Sequence, residues 1–167
     1  NVCAFQTWSR GRLTVTSTDP LVDPEVDLAM LSDERDLVRM RDGMRRLQRI
    51  IEHPAVQNII TGTYSWTSGQ PLTAEATDEE LDAWILANCQ DCQHPIGTCR
   101  MGAPDDPRSV VDPSCRVIGV ENLRVIDGSI MPENPRANTH LTCVMIGELM
   151  AVRLKAETHK CIDSACS

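Results

Sequence analysis

Pro132 and Pro135 sit in the middle of the most constraining stretch of the chain, residues 122–155. Ahead of them, Leu123, Val125 and Ile126 form a short β-prone run that predicts a strand over 123–127. Asp127-Gly128 ends it, since Gly accepts backbone angles that other residues avoid and Asp favours turns. The two prolines exclude regular helix or central strand, so residues 130–137 must form a shaped loop. Beyond it, Leu141, Met145, Leu149 and Val152 recur at helical spacing, with Asn138 or Thr139 able to cap the first turn. Strand, stiff loop and helix start together aim backbone N–H groups and the positive end of a dipole at whatever lies beyond the strand. On pattern alone, an ordinary strand-to-helix connection remains the plainer reading.

The rest of the composition narrows the class. A net charge of -8 argues against a nucleic-acid surface, and three Trp, one Tyr and one Phe give no base-stacking platform. No apolar run reaches membrane-spanning length, so the expectation is a soluble chain with neither nucleic-acid nor membrane partner. Eight cysteines are scattered at positions 3, 89, 92, 99, 115, 143, 161 and 166, unlike a small disulfide scaffold. Cys89, Cys92, His94 and Cys99 have a superficial metal-ligand spacing, but no second knuckle follows, and no metal is expected.

Upstream, residues 10–17 alternate and predict a strand; residues 19–27, with Pro20 and Pro24 among acids, predict an extended loop. Ser32, Asp33 and Glu34 read as a helix start, with Leu37, Met40, Met44, Leu47 and Ile51 as its buried face and His53-Pro54 as its end. His53, alone beside a helix end, reads as structural. Residues 54–76 show little periodicity and predict an irregular connection. Thr77 and Glu80 have capping-box spacing ahead of Leu81, Trp84 and Ile85, predicting a short helix that ends near Asn88.

The stretch His94 to Gly102, HPIGTCRMG, is the second informative one. Pro95 stiffens the chain after the histidine, and Gly97 permits close approach of another segment. A histidine on a rigid loop suits a general base. A buried histidine satisfied by backbone is the equally weighted alternative.

HPIGTCRMG, then VVDPSCRVIGVENLRVIDGSIMP, then NTHLTCVMIGE, resembles in order and spacing the C-terminal part of the glucose-methanol-choline (GMC) flavin oxidoreductases. SRGRLTVTSTDP and the segment DLVRMRDGMRRLQRI extend the resemblance over about Ser9 to Val152. The resemblance implies an α/β architecture: residues 1–93 belonging to a substrate domain with an antiparallel sheet and helices, and residues 94–155 returning to the FAD domain; residues 156–167 read as a polar tail. It implies that His94 takes the hydroxyl proton of an alcohol as hydride leaves for the flavin, and that Asn138 orients the substrate oxygen. Asp127, Gly128, Thr139 and His140 would border the FAD. His140 is a rival for the catalytic role, standing where relatives commonly carry Asn. Cys99 matches the motif's GTC and is expected to pack.

The family holds FAD with a Gly-rich dinucleotide fold, and none of the nine glycines here forms such a fingerprint. The chain begins at Asn1, and the expectation is a C-terminal piece that works with an N-terminal FAD-binding chain, from a split enzyme or a cleaved one. The expected activity is oxidation of a small-molecule alcohol. An FAD-containing hydroxynitrile lyase and a non-catalytic module of the same fold are the rivals.

Overall fold

The computed structural model of the protein describes residues 1–62, 65, 68–69, 71 and 75–165, with side chains as far as His159. The aromatic residues Tyr64 and Trp66 lie outside the described residues. Two compact units divide the chain, Asn1–Cys92 and Gln93–Ser167. Both are mixtures of helix and short extended segments, in keeping with the α/β class.

In the first unit, β1 (Arg12–Thr14) and β2 (Glu25–Asp27) pair antiparallel, with Leu13 opposite Val26. Gly11 makes the entry to this hairpin possible: a Cβ there would stand 2.2 Å from the Asp27 carbonyl oxygen. The second strand falls inside 19–27, which the sequence reads as loop. Three residues between acidic neighbours are too few to show a period, and the ladder alone defines them.

Helix α1 spans Glu34–Ile51, and its cap is Asp33 rather than Ser32; the Asp33 carboxylate accepts from the Arg35 amide. The same carboxylate holds the Arg35 side chain, and that bond keeps its pKa down at about 2. Asp36 does more than complement the helix dipole. It is fully buried and accepts from the Trp8 and Ser9 amides and the Ser9 hydroxyl, pinning the N-terminal segment to α1. The guanidiniums of Arg35 and Arg39 lie 4.7 and 5.0 Å from the Trp8 ring centroid, adding cation–π contact on the outside of that junction.

A short helix α2 (Pro54–Gln57) follows where an irregular stretch is expected. Pro54 ends α1, yet proline also suits the first turn of a new helix, where its missing N–H is no loss. His53 caps it, Nδ1 accepting from the Ala55 amide, which is the structural role its position suggests. Helix α3 (Asp78–Asn88) carries the expected capping box: Thr77 Oγ1 accepts from the Glu80 amide and the Glu80 carboxylate accepts from the Thr77 amide. Met44 of α1 packs with Leu81 and Ile85 of α3, flanked by Leu37, Met40, Leu47 and Trp84. Arg41 and Arg45 bind Asp78 at 2.7 and 3.0 Å, fastening the start of α3 to α1 at the core's edge.

The second unit is built mostly from irregular chain. Val111 and Cys115 are its most deeply buried residues, and Ile130, Met131, Ile146 and Met150 complete the core. Isolated bridges join Met101 to Val111, Val111 to Val117 and Arg116 to Arg124. The strand expected over 123–127 is therefore reduced to Arg124 alone. No neighbouring ladder exists among the described residues to extend it. A 3₁₀ turn, Gly128–Ile130, follows, with Asp127 as its cap. Helix α4 runs His140–Ala165, well into the residues expected to be a tail. It packs through Cys143, Ile146 and Met150. The row that marks it in the sequence, Leu141, Met145, Leu149 and Val152, is exposed at 79, 51, 44 and 65%. The helix is apolar on two sides, and only one is covered. No described helix is long and apolar enough to cross a membrane.

Candidate active site

His94 opens an extended segment, and the turn ahead of it is strained: Gln93 holds φ at +63°, a region L-residues rarely adopt. Gly97 (φ +85°) then lets the loop reverse without a side-chain penalty. Backbone bonds from the Cys99 amide to the Ser129 carbonyl (3.1 Å) and from Met101 to Ile130 (2.8 Å) tie this loop to the 3₁₀ turn. The HPIGTC segment and the 127–131 turn thus form one irregular platform.

The histidine is held twice more. Asn134 Nδ2 donates to the His94 carbonyl oxygen at 3.0 Å. Thr139 Oγ1 lies 3.0 Å from His94 Nδ1. Thr139 is 8% exposed and sits at the N-cap of α4, its carbonyl accepting from the Cys143 amide. Residues 45 apart in sequence therefore meet at the start of α4.

The other expected site residues fall around this pair. Asn138 and His140 flank Thr139 and are exposed. Asp127 spends its carboxylate on the turn, accepting from the Ser129 amide at 2.8 Å. Gly128 faces Cys143 closely: a Cβ there would stand 3.0 Å from the Cys143 sulfur. Thr139, expected to border the cofactor, has its side-chain oxygen within hydrogen-bond distance of His94 Nδ1. Asn134 is the residue that sequence reasoning missed. Its position between Pro132 and Pro135, in a loop with fixed shape, is the signal that could have raised it.

Asn134 also carries the clearest mark of incompleteness. Its amide nitrogen faces a carbonyl, which fixes the side chain's orientation and leaves Oδ1 buried with no hydrogen-bond partner among the described residues. A buried acceptor without a donor calls for one from outside. Helix α4 adds the opposite chemistry, because its first amides have no carbonyl one turn back to bond. An acceptor and a group of donors close to His94 fit a ring edge that presents both N–H and C=O groups, as a flavin does. Burial pushes the Cys115 thiol up, which marks it as a packing residue. Among the described residues no three His, Cys, Asp or Glu side chains are grouped to hold a metal ion.

This fold and loop architecture has known counterparts. The family model for GMC oxidoreductases matches residues 7–147, and the chain belongs to that family. An oxygen-dependent choline dehydrogenase of Vibrio vulnificus is 38% identical over 143 residues, 86% of this chain and 25% of that protein. Formate oxidase of Aspergillus oryzae superposes with a TM-score of 0.79 at 28% identity, over 90% of this chain and 25% of the oxidase. A pyridoxine 4-oxidase from Mesorbium loti gives 0.78 at 27% identity, over 89% of this chain and 28% of its own. The chain spans about a quarter of the length of these relatives. FAD is the cofactor of the family.

Proposed function

We propose that this chain supplies the proton-transfer half of an FAD-dependent oxidation of a CH–OH donor to a carbonyl, with His94 as the general base. The observation that carries the reading is the way His94 is held: main chain by Asn134, ring by Thr139, loop by the 127–131 turn. A base must be fixed before it can meet a hydroxyl hydrogen at bonding distance, and such placement contributes about 10²- to 10⁴-fold to rate. His94 removes the hydroxyl proton, so that the carbon bearing the resulting alkoxide-like oxygen gives up its hydride as the carbonyl forms. Bound FAD supplies the acceptor for that hydride. Asp127, Gly128 and His140, with the backbone of Thr139, are the residues proposed to border it.

A developing alkoxide also needs a hydrogen-bond donor. Asn138 and His140, on either side of Thr139, are the two candidates. Asn138 donates through an amide, which does not titrate; His140 would donate through a ring N–H. Asn138→Ala and His140→Ala, each checked for flavin content first, separate them by which one slows reduction.

The activity requires a partner carrying the dinucleotide fold, a separate N-terminal chain or the rest of a longer one. The bare row on α4 and the uncovered β1–β2 hairpin support this, since both leave apolar side chains in water. Co-expression with an upstream FAD-fold segment should give a yellow, soluble protein. Anaerobic mixing of that protein with choline, pyridoxine or benzyl alcohol should bleach the oxidised flavin spectrum for at least one of them. A 167-residue chain that alone retains stoichiometric FAD would contradict the partner requirement. Cleavage of a cyanohydrin without bleaching would contradict the oxidation.

A further inference from the structure

We infer that Thr139 is a positioning residue that sets the tautomer of His94; this rests on the reading of His94 as the base. An imidazole can accept a proton only at a nitrogen that carries a lone pair. The bond between Thr139 Oγ1 and His94 Nδ1, at 3.0 Å, admits two arrangements. If the hydroxyl donates to Nδ1, the ring's proton is on Nε2 and neither nitrogen is open to take another. If Nδ1–H donates to the hydroxyl oxygen, the lone pair is on Nε2, and that nitrogen becomes the base. Proton transfer from an alcohol requires the second arrangement: the O–H bond breaks, Nε2–H forms, and the resulting imidazolium keeps its Nδ1–H bond to Thr139.

The surroundings favour a fixed hydroxyl. Thr139 is β-branched, buried at 8% exposure and placed at the N-cap of α4, so the position of its oxygen is restricted by backbone and packing together. The His94 main chain is fixed independently by Asn134 at 3.0 Å. Ring and backbone are therefore held from one short segment, residues 134–139.

The test compares Thr139→Val, which keeps the shape and removes the oxygen, with Thr139→Ser, which keeps the oxygen. Both are made in the flavin-loaded enzyme that contains this chain, with a bleaching alcohol as probe and His94→Ala as reference. Flavin reduction at saturating alcohol should fall roughly 10- to 100-fold in Thr139→Val, the span seen when a group orienting a functional histidine is lost. Thr139→Ser should stay within about threefold of wild type, because the acceptor is restored. Nitrogen-15 spectra of histidine-labelled enzyme, with the His94 signals assigned by their loss in His94→Ala, should place the His94 proton on Nδ1 in wild type and Thr139→Ser. In Thr139→Val the proton should move toward Nε2. A wild-type proton on Nε2 would overturn the inference even if Thr139→Val failed to load flavin. So would equal losses in the Val and Ser variants, or an unchanged rate in Thr139→Val. An unchanged rate in His94→Ala would instead overturn the base itself, a separate failure.

Discussion

The two units hold themselves together by different means. The first is a pair of capped helices, α1 and α3, whose core is Met44, Leu81 and Ile85 and whose edge is sewn by Arg41, Arg45 and Asp78. The second encloses Val111 and Cys115 in loops joined by single bridges, a 3₁₀ turn and one helix face. Regular elements can be built from local rules, and they tolerate change wherever the core and caps survive. Irregular chain is specified by particular bonds at particular atoms. That cost in tolerance is what lets His94, Asn134 and Thr139 converge, as no single helix or strand could bring them together.

If the division is right, injury to the first unit should appear as lost stability and injury to the second as lost chemistry. Leu81→Ala empties a site with 0% exposure and should destabilise by about 2–5 kcal/mol, read from denaturant midpoints. Flavin reduction in the fraction that remains folded should be unchanged. Asn134→Ala removes one bond to the His94 carbonyl and should cost about 1 kcal/mol, yet slow flavin reduction by about tenfold. A Leu81→Ala enzyme that is stable but slow, or an Asn134→Ala enzyme that is unstable but fast, would break the comparison.

The smallest effect is acidic. Asp33 has a folded pKa of about 2 against an ordinary 3.8, set first by its bond to the Arg35 side chain; Asp78 is lowered by Arg45 and Arg41. A carboxylate depressed in the folded state binds fewer protons there than when unfolded, so its contribution is complete above the unfolded value and fades as pH falls through the folded one. The first unit should thus lose a modest part of its stability between about pH 4 and pH 2. Asp33→Asn should flatten that limb.

The same contrast explains what could be read from the sequence. The box at Thr77 and Glu80 and the α1 face from Leu37 to Leu47 were legible because local spacing determines them. The α1 cap was displaced by one, as Ser32 and Asp33 are both good caps and only geometry chooses. Helix α2 was hidden because Pro54 both stops and starts helices. On α4, periodicity announced a helix, but it could not say which apolar side is covered. In the site, His94 stood out through its motif, while the Thr139 bond spans 45 residues and no local pattern contains it. Asn134 had no periodic context at all, and its role emerges only with the carbonyl it faces.

The role of His94 is tested most directly by rapid-mixing measurement of flavin reduction in a flavin-loaded His94→Ala enzyme. The rate should fall by about two to four decades while bound flavin remains, as for loss of a positioned general base. Reduction within a few-fold of wild type would remove His94 from the chemistry, and with it the assignment of this loop platform as the active site.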